Sequence, residues 1–178
     1  SLGNALDFGD LTEDVRDPQA FASPIRGFRS GGHDATDSDI SEIIDFWNFA
    51  SKGNAVDFGV LAVRISGSAN CSSRIRGFIL GGSSSPGRSN FIQYITMASE
   101  GNATVFGDLG FQNTTNSCGT SNSTRGIKSG GATPSSHVNV IEYFNMSTAG
   151  NAIDFGDLTV QRDNIGSTSD SHGGLGGF

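Results

Sequence analysis

One nine-residue phrase occurs four times along this chain, and it limits the possible folds more than any other feature. Gly3-Asn4-Ala5-Leu6-Asp7-Phe8-Gly9-Asp10-Leu11 returns as Gly53-Asn54-Ala55-Val56-Asp57-Phe58-Gly59-Val60-Leu61. It returns again as Gly101-Asn102-Ala103-Thr104-Val105-Phe106-Gly107-Asp108-Leu109 and as Gly150-Asn151-Ala152-Ile153-Asp154-Phe155-Gly156-Asp157-Leu158. The leading glycines are spaced 50, 48 and 49 residues apart. Self-similarity at such a period marks repeated supersecondary units, none of which buries its apolar face alone. The 178 residues read as a single repeat domain, 1–178, with units 1–52, 53–100, 101–149 and an incomplete 150–178.

Each unit carries three strand signals. The first is Ile44-Asp45-Phe46-Trp47, echoed by Ile92-Gln93-Tyr94-Ile95 and Ile141-Glu142-Tyr143-Phe144. Isoleucine followed two places later by an aromatic marks one face of a pleat, and the apolar fourth position implies burial on both faces. The second signal is the phrase itself. Gly-Asn between β-rich runs favours a type II′ hairpin turn, which predicts that these two strands pair antiparallel. The offset from Phe46 to Phe58, from Tyr94 to Phe106 and from Tyr143 to Phe155 is 12 residues each time, which implies a pinned register. The third signal is Arg26-Gly27-Phe28-Arg29-Ser30-Gly31-Gly32, repeated from Arg76 and Arg125, with a degenerate copy at 173–178. The predicted repeat core is Phe8, Phe58, Phe106, Phe155, Ile44, Phe46, Ile92, Tyr94, Ile141 and Tyr143. No segment holds a 3.6-residue period long enough for a helix, so the fold class is all-β.

A formal charge of −7 argues against a nucleic-acid or anionic-membrane partner. No apolar run reaches the roughly 18 residues that a membrane-spanning helix needs. Cys71 and Cys118 occupy near-equivalent places in successive units. They are turn or buried thiols, or a disulfide if their Cα atoms lie within about 7 Å.

A repeat of about 50 residues built from short strands with a closing Gly-Gly resembles a kelch blade. The succession Gly-Gly, loop, Ile-x-Tyr, aromatic strand, then Leu and Arg64 or Arg162 carries that likeness. It departs from kelch in having Phe where a Trp stands closer to the Tyr. The Gly-Asn-Ala-x-Asp-Phe-Gly-Asp-Leu phrase, with Arg-Gly opening a Gly-Gly strand, resembles kelch-like repeats in virion structural and tail-fibre-type proteins of tailed phages. The resemblance implies β-propeller blades, about three and a half of them, closed on themselves or completed by oligomerisation. An open stack of β-repeats in a filament is the alternative. It further implies a virion or extracellular location and a non-enzymatic adhesion module whose variable loops recognise host-surface polysaccharide. A purely structural self-assembling fibre or virion-decorating subunit is the second reading, with self-association or other virion proteins as partners. The loops expected to carry recognition are 14–24, 65–74, 113–123 and 163–171.

Candidate ligand-binding residues are few. Trp47 replaces Ile95 and Phe144 of the other units, so it either fills core or offers a stacking platform for a sugar. Asp37 and Asp39, with Glu42 and Asp45 beyond, could supply oxygen ligands, although EF-hand spacing is missing and a solvated loop is the plainer reading. His33, His137 and His172 each lack a second histidine or cysteine at i+2 or i+4, so no metal site is expected. Asp-Phe-Gly at Asp7, Asp57 and Asp154 has none of the partners of a kinase and reads as architecture. No catalytic residue and no cofactor are assigned.

Overall fold

The computed structural model describes residues 3–35, 39–111 and 114–169, and there the chain is all β, with fourteen strands and no helix. A small ribbon pairs β1 (Val15–Arg16) with β4 (His33–Asp34). The first of three four-stranded sheets holds β2 (Gln19–Ala22), β3 (Arg26–Ser30), β5 (Ile43–Asn48) and β6 (Val56–Val60), in that spatial order. The second holds β7 (Ala69–Ser72), β8 (Arg76–Ser84), β9 (Gly87–Thr96) and β10 (Thr104–Asp108). The third holds β11 (Cys118–Ser121), β12 (Arg125–Ser129), β13 (Val140–Asn145) and β14 (Ile153–Asp157). Within each sheet the chain meanders antiparallel, one strand to the next. No strand of one four-stranded sheet is hydrogen-bonded into the ladder of another, and the sheets do not close into a barrel.

Each sheet has four strands where the sequence signals three. The extra ones, β2, β7 and β11, lie inside segments expected to be variable loops. Their Ser, Asn, Gly and Ala content has low β-propensity. Burial explains the difference: β7 runs between β2 and β11 and all four of its residues are buried. A Cβ on Gly119 would overlap the backbone of Asn70, so only small residues fit this seam. Its inner end carries a ladder of left-handed residues. Asp17, Gly67, Asn116 and Asn164 have φ of 54°, 59°, 55° and 51°. The N–H of Gly67 donates to Asp17, that of Asn116 to Gly67 and that of Asn164 to Asn116, at 3.4, 2.7 and 2.9 Å.

The phrase also behaves differently from the expected turn. Its strand does pair antiparallel with the isoleucine-aromatic strand, Phe46 opposite Val56 and Tyr94 opposite Thr104. The chain reverses upstream of Gly-Asn, however, and Gly53 and Gly101, with φ of 150° and 153°, lack the φ near +60° that the first central residue of a type II′ turn takes. Within the phrase the phenylalanine is an extra residue in the ladder: the register skips Phe58, Phe106 and Phe155. Asp57 and Asp154 each accept the amide of the glycine two places on, at 3.0 and 2.9 Å, which ties off the bulge. Asp-Phe-Gly is therefore a bulge signature that aims a phenylalanine inward.

Two apolar cores form, and each straddles a pair of sheets. Phe28, Phe46 and Phe58 of the first sheet pack with Ile95, Met97 and Ala103 from the second sheet and its flanks. Phe78, Tyr94 and Phe106 pack with Phe144, Met146 and Ala152 of the third. The apolar fourth position of the isoleucine-aromatic strand thus serves the preceding unit's core. Of the sequence-assigned core residues, Ile44, Phe46, Phe58, Ile92 and Phe106 are buried, whereas Tyr94, Ile141 and Tyr143 are half-buried. Phe8 and Phe155 stay 39% and 57% exposed, because among the described residues no further sheet packs on them. Both cysteines are free thiols; burial pushes Cys71 up to about 12. The fourth Gly-Gly signal, 173–178, lies outside the described residues.

Candidate functional site: the joints between sheets and the cavity beside them

The recurring phrase builds the joints. Gly53 N–H donates to the carbonyl of Phe8 and Ala55 N–H to that of Asp10, at 3.0 and 2.8 Å. Asn54 Oδ1 then accepts the Asp10 amide at 3.1 Å. The same three bonds join Gly101-Asn102-Ala103 to Phe58 and Val60, at 3.0, 2.8 and 3.2 Å. They recur between Gly150-Asn151-Ala152 and Phe106 and Asp108, at 3.1, 2.8 and 3.0 Å. Each phrase therefore has two halves, Gly-Asn-Ala facing the preceding unit and Phe-Gly-Asp facing the following one. The glycine of the second half is required by contact: a Cβ on Gly59, whose φ is 149°, would sit 2.6 Å from the Gly101 carbonyl oxygen.

Arginines reinforce the joints. Arg26 lies 4.8 Å over the Phe46 ring and donates to the Met97 carbonyl at 3.2 Å. Arg76 lies 4.9 Å over Tyr94 and donates to Met146 at 3.0 Å. Arg125 lies 4.9 Å over Tyr143, facing the open end of the third sheet. A guanidinium on an aromatic face that also reaches across to a carbonyl fixes both position and angle.

One cross-strand pair is buried at the same repeated position in each sheet, and its chemistry changes from unit to unit. In the first sheet Arg29 is paired with Asp45, and both are buried. Glu13 adds a second ion pair to Arg29 at 2.7 Å, and Thr12 donates to Asp45 at 2.6 Å. In the second sheet the same places hold Ile79 and Gln93, and the Gln93 amide both accepts from and donates to the backbone of Val63. In the third, Lys128 Nζ lies 3.7 Å from Glu142 Oε2, and neither atom has a hydrogen-bond partner. Burial pushes the Lys128 ammonium below its ordinary value of 10.5, and the Glu142 charge opposes that shift. A lysine lowered in this way holds fewer protons folded than unfolded between its lowered value and 10.5. Stability should then rise with pH through that window. Denaturant titrations across alkaline pH should show the rise, and the Lys128→Ile/Glu142→Gln variant, which copies the second unit, should lose it.

The first strands of the sheets border a cavity of about 360 Å³ with residues 167–169 on its far side. Phe21, Trp47 and Phe49 give it an apolar wall, and Ser72, Thr120 and Ser121 give it hydroxyls. Trp47 is half-buried and lies against Gly27, where a Cβ would come 2.5 Å from the indole. Asp39 is elsewhere: its carboxylate pairs with Arg64 at 3.0 Å in an exposed network with Glu42. Trp47 and Asp39 therefore do not share a cavity, and Asp37 lies outside the described residues. No group of three His, Cys, Asp or Glu side chains suited to a metal ion occurs among the described residues. The phrase halves and the buried pairs were the features that sequence reading missed. Aligning the units on Gly-Gly sets Arg29, Ile79 and Lys128 against Asp45, Gln93 and Glu142, and the matched change of charge is the signal that could have found the pairs.

No family model and no curated protein matches the chain. Solved structures do match in fold. One of them, described as "Structure of YjhT", superposes with a TM-score of 0.74 at 9% sequence identity. The fold is shared. The superposition covers 88% of this chain and 60% of that one, so the chain spans less than two thirds of the longer molecule.

Proposed function

We propose that the three sheets are kelch-like propeller blades and that the chain is a non-enzymatic structural and adhesive module of the virion-appendage type. It acts outside the cell, displays its variable connections and binds host-surface polysaccharide. The observation that carries this reading is the cavity beside β2, β7 and β11. An indole and a phenyl ring are the side-chain types that stack on sugar faces, and the oxygens of Ser72, Thr120 and Ser121, whose protons go to backbone carbonyls, are left as acceptors for sugar hydroxyls. The sequence resemblance to phage virion repeats supplies the ligand class. On an array of bacterial envelope polysaccharides the purified chain should retain at least one, and Trp47→Ala should weaken that binding about tenfold or more. Failure of the native chain on the array and on intact bacteria would remove the adhesive reading.

A second reading, a purely structural fibre or virion-decorating subunit, is favoured by the exposure of Phe155 and of Gly3-Asn4-Ala5, which no described residue covers as the equivalent groups are covered at the three joints. Polymerisation without glycan binding would select it.

A further inference from the structure

The four phrases make three joints, and among the described residues Gly3-Asn4-Ala5 of the first phrase and Phe155-Gly156-Asp157 of the last make none. Gly3-Asn4-Ala5 is exposed, and among the described residues nothing lies within 4 Å of a Cβ placed on Gly3. Gly156, in the last phrase, is equally clear, whereas Gly9, Gly59 and Gly107 each abut the leading glycine of the next phrase. Phe155 is 57% exposed where Phe106 is 5% exposed. Beside it Tyr143, Arg125, Gly150 and Ile153 line an open cavity of about 570 Å³.

We propose that a second copy of this chain docks head to tail at this place, its Gly3-Asn4-Ala5 completing the half joint of Phe155-Gly156-Asp157. What covers the half joint is shown three times within the chain, by a tripeptide of identical sequence. By that pattern Gly3 N–H of the incoming copy donates to the Phe155 carbonyl and Ala5 N–H to the Asp157 carbonyl. Asn4 Oδ1 accepts the Asp157 amide, and the Ala5 methyl lies against Phe155 as Ala103 lies in the core with Phe58. The two halves are different surfaces, so the contact is heterologous and extends to open-ended chains unless the rotation happens to close. The contact is small, so it shows at high protein concentration or where many copies are held together.

The proposal stands apart from the adhesive reading, because it involves no glycan and none of the cavity residues. Sedimentation velocity over a concentration series, without glycan, tests it on the native chain and on Asn4→Ala/Ala5→Pro. That variant removes the acceptor and one donor of the incoming tripeptide, which makes no internal joint, so its thermal midpoint should match the native one. The expected result is an average mass that climbs with concentration for the native chain, and at least tenfold more protein needed for the variant to reach the same mass. A native chain that stays monomeric overturns the proposal, as does a variant that assembles equally well. A monomer whose thermal midpoint falls in the variant also overturns it, since the tripeptide would then be closing on its own chain.

Discussion

Replacing Asp45 with alanine should lower stability by about 3–5 kcal/mol, because it leaves a buried guanidinium without its carboxylate. Arg29 is 2% exposed and Asp45 is fully buried, so water cannot substitute for the lost partner. Glu13 still pairs with Arg29, which sets the loss at the lower end of that range. The informative comparison is Arg29→Ile/Asp45→Gln. This pair of residues already occupies the corresponding places in the second sheet as Ile79 and Gln93. An apolar residue beside an amide that bonds the adjacent backbone carries no uncompensated charge. Most of the stability lost in Asp45→Ala should therefore return in the double variant. Urea titrations of the native chain and the two variants would measure it; a double variant as unstable as the single one would mean the ion pair is needed in itself.

The second large effect separates two residues that the sequence treats as equivalent. Phe106→Ala should cost about 3–5 kcal/mol, as truncation of a buried phenylalanine does. Its ring lies 5.2 Å from Phe78, 5.5 Å from Tyr94 and 5.9 Å from Phe144, so the cavity would open in the core shared by two sheets. Phe155 occupies the same place in the phrase but meets one ring, Tyr143 at 5.8 Å, and is largely in solvent. Phe155→Ala should cost at most about 1 kcal/mol in dilute protein. Equal costs would mean that something covers the third sheet in the isolated chain.

These two residues also show how far the sequence could be read. Alternation and repetition reveal which positions point inward, since both follow from the period of a strand. They do not reveal how many neighbours a unit has, so Phe8 and Phe155 look like Phe58 and Phe106. The first strands of the three sheets, β2, β7 and β11, are hidden for a different reason. Ala69, Asn70, Cys71 and Ser72 are small and partly polar because adjacent backbones crowd them, and crowding leaves a composition that resembles a loop. Gly-Asn reads as a turn because that dipeptide commonly makes one. Here its amides and its side chain are spent on the preceding unit, and only the coordinates of both units together reveal it.

Near-identical repeats on one chain face a hazard that a single sheet does not, since a strand from one unit can be mistaken for its counterpart in another. The changing pairs across β3–β5, β8–β9 and β12–β13 act as addresses against that error. If β3 docked beside β9, Arg29 would be buried against Gln93 with no carboxylate; if β8 docked beside β13, Glu142 would face Ile79. The apolar-amide pair of the second unit is thereby set apart from the charged pairs of the first and third, which biases the search for neighbours against mixing the second unit with either of the others. Arg29→Ile/Asp45→Gln would give two hairpins the same address, and its refolding, unlike its equilibrium stability, should suffer from exchange between them.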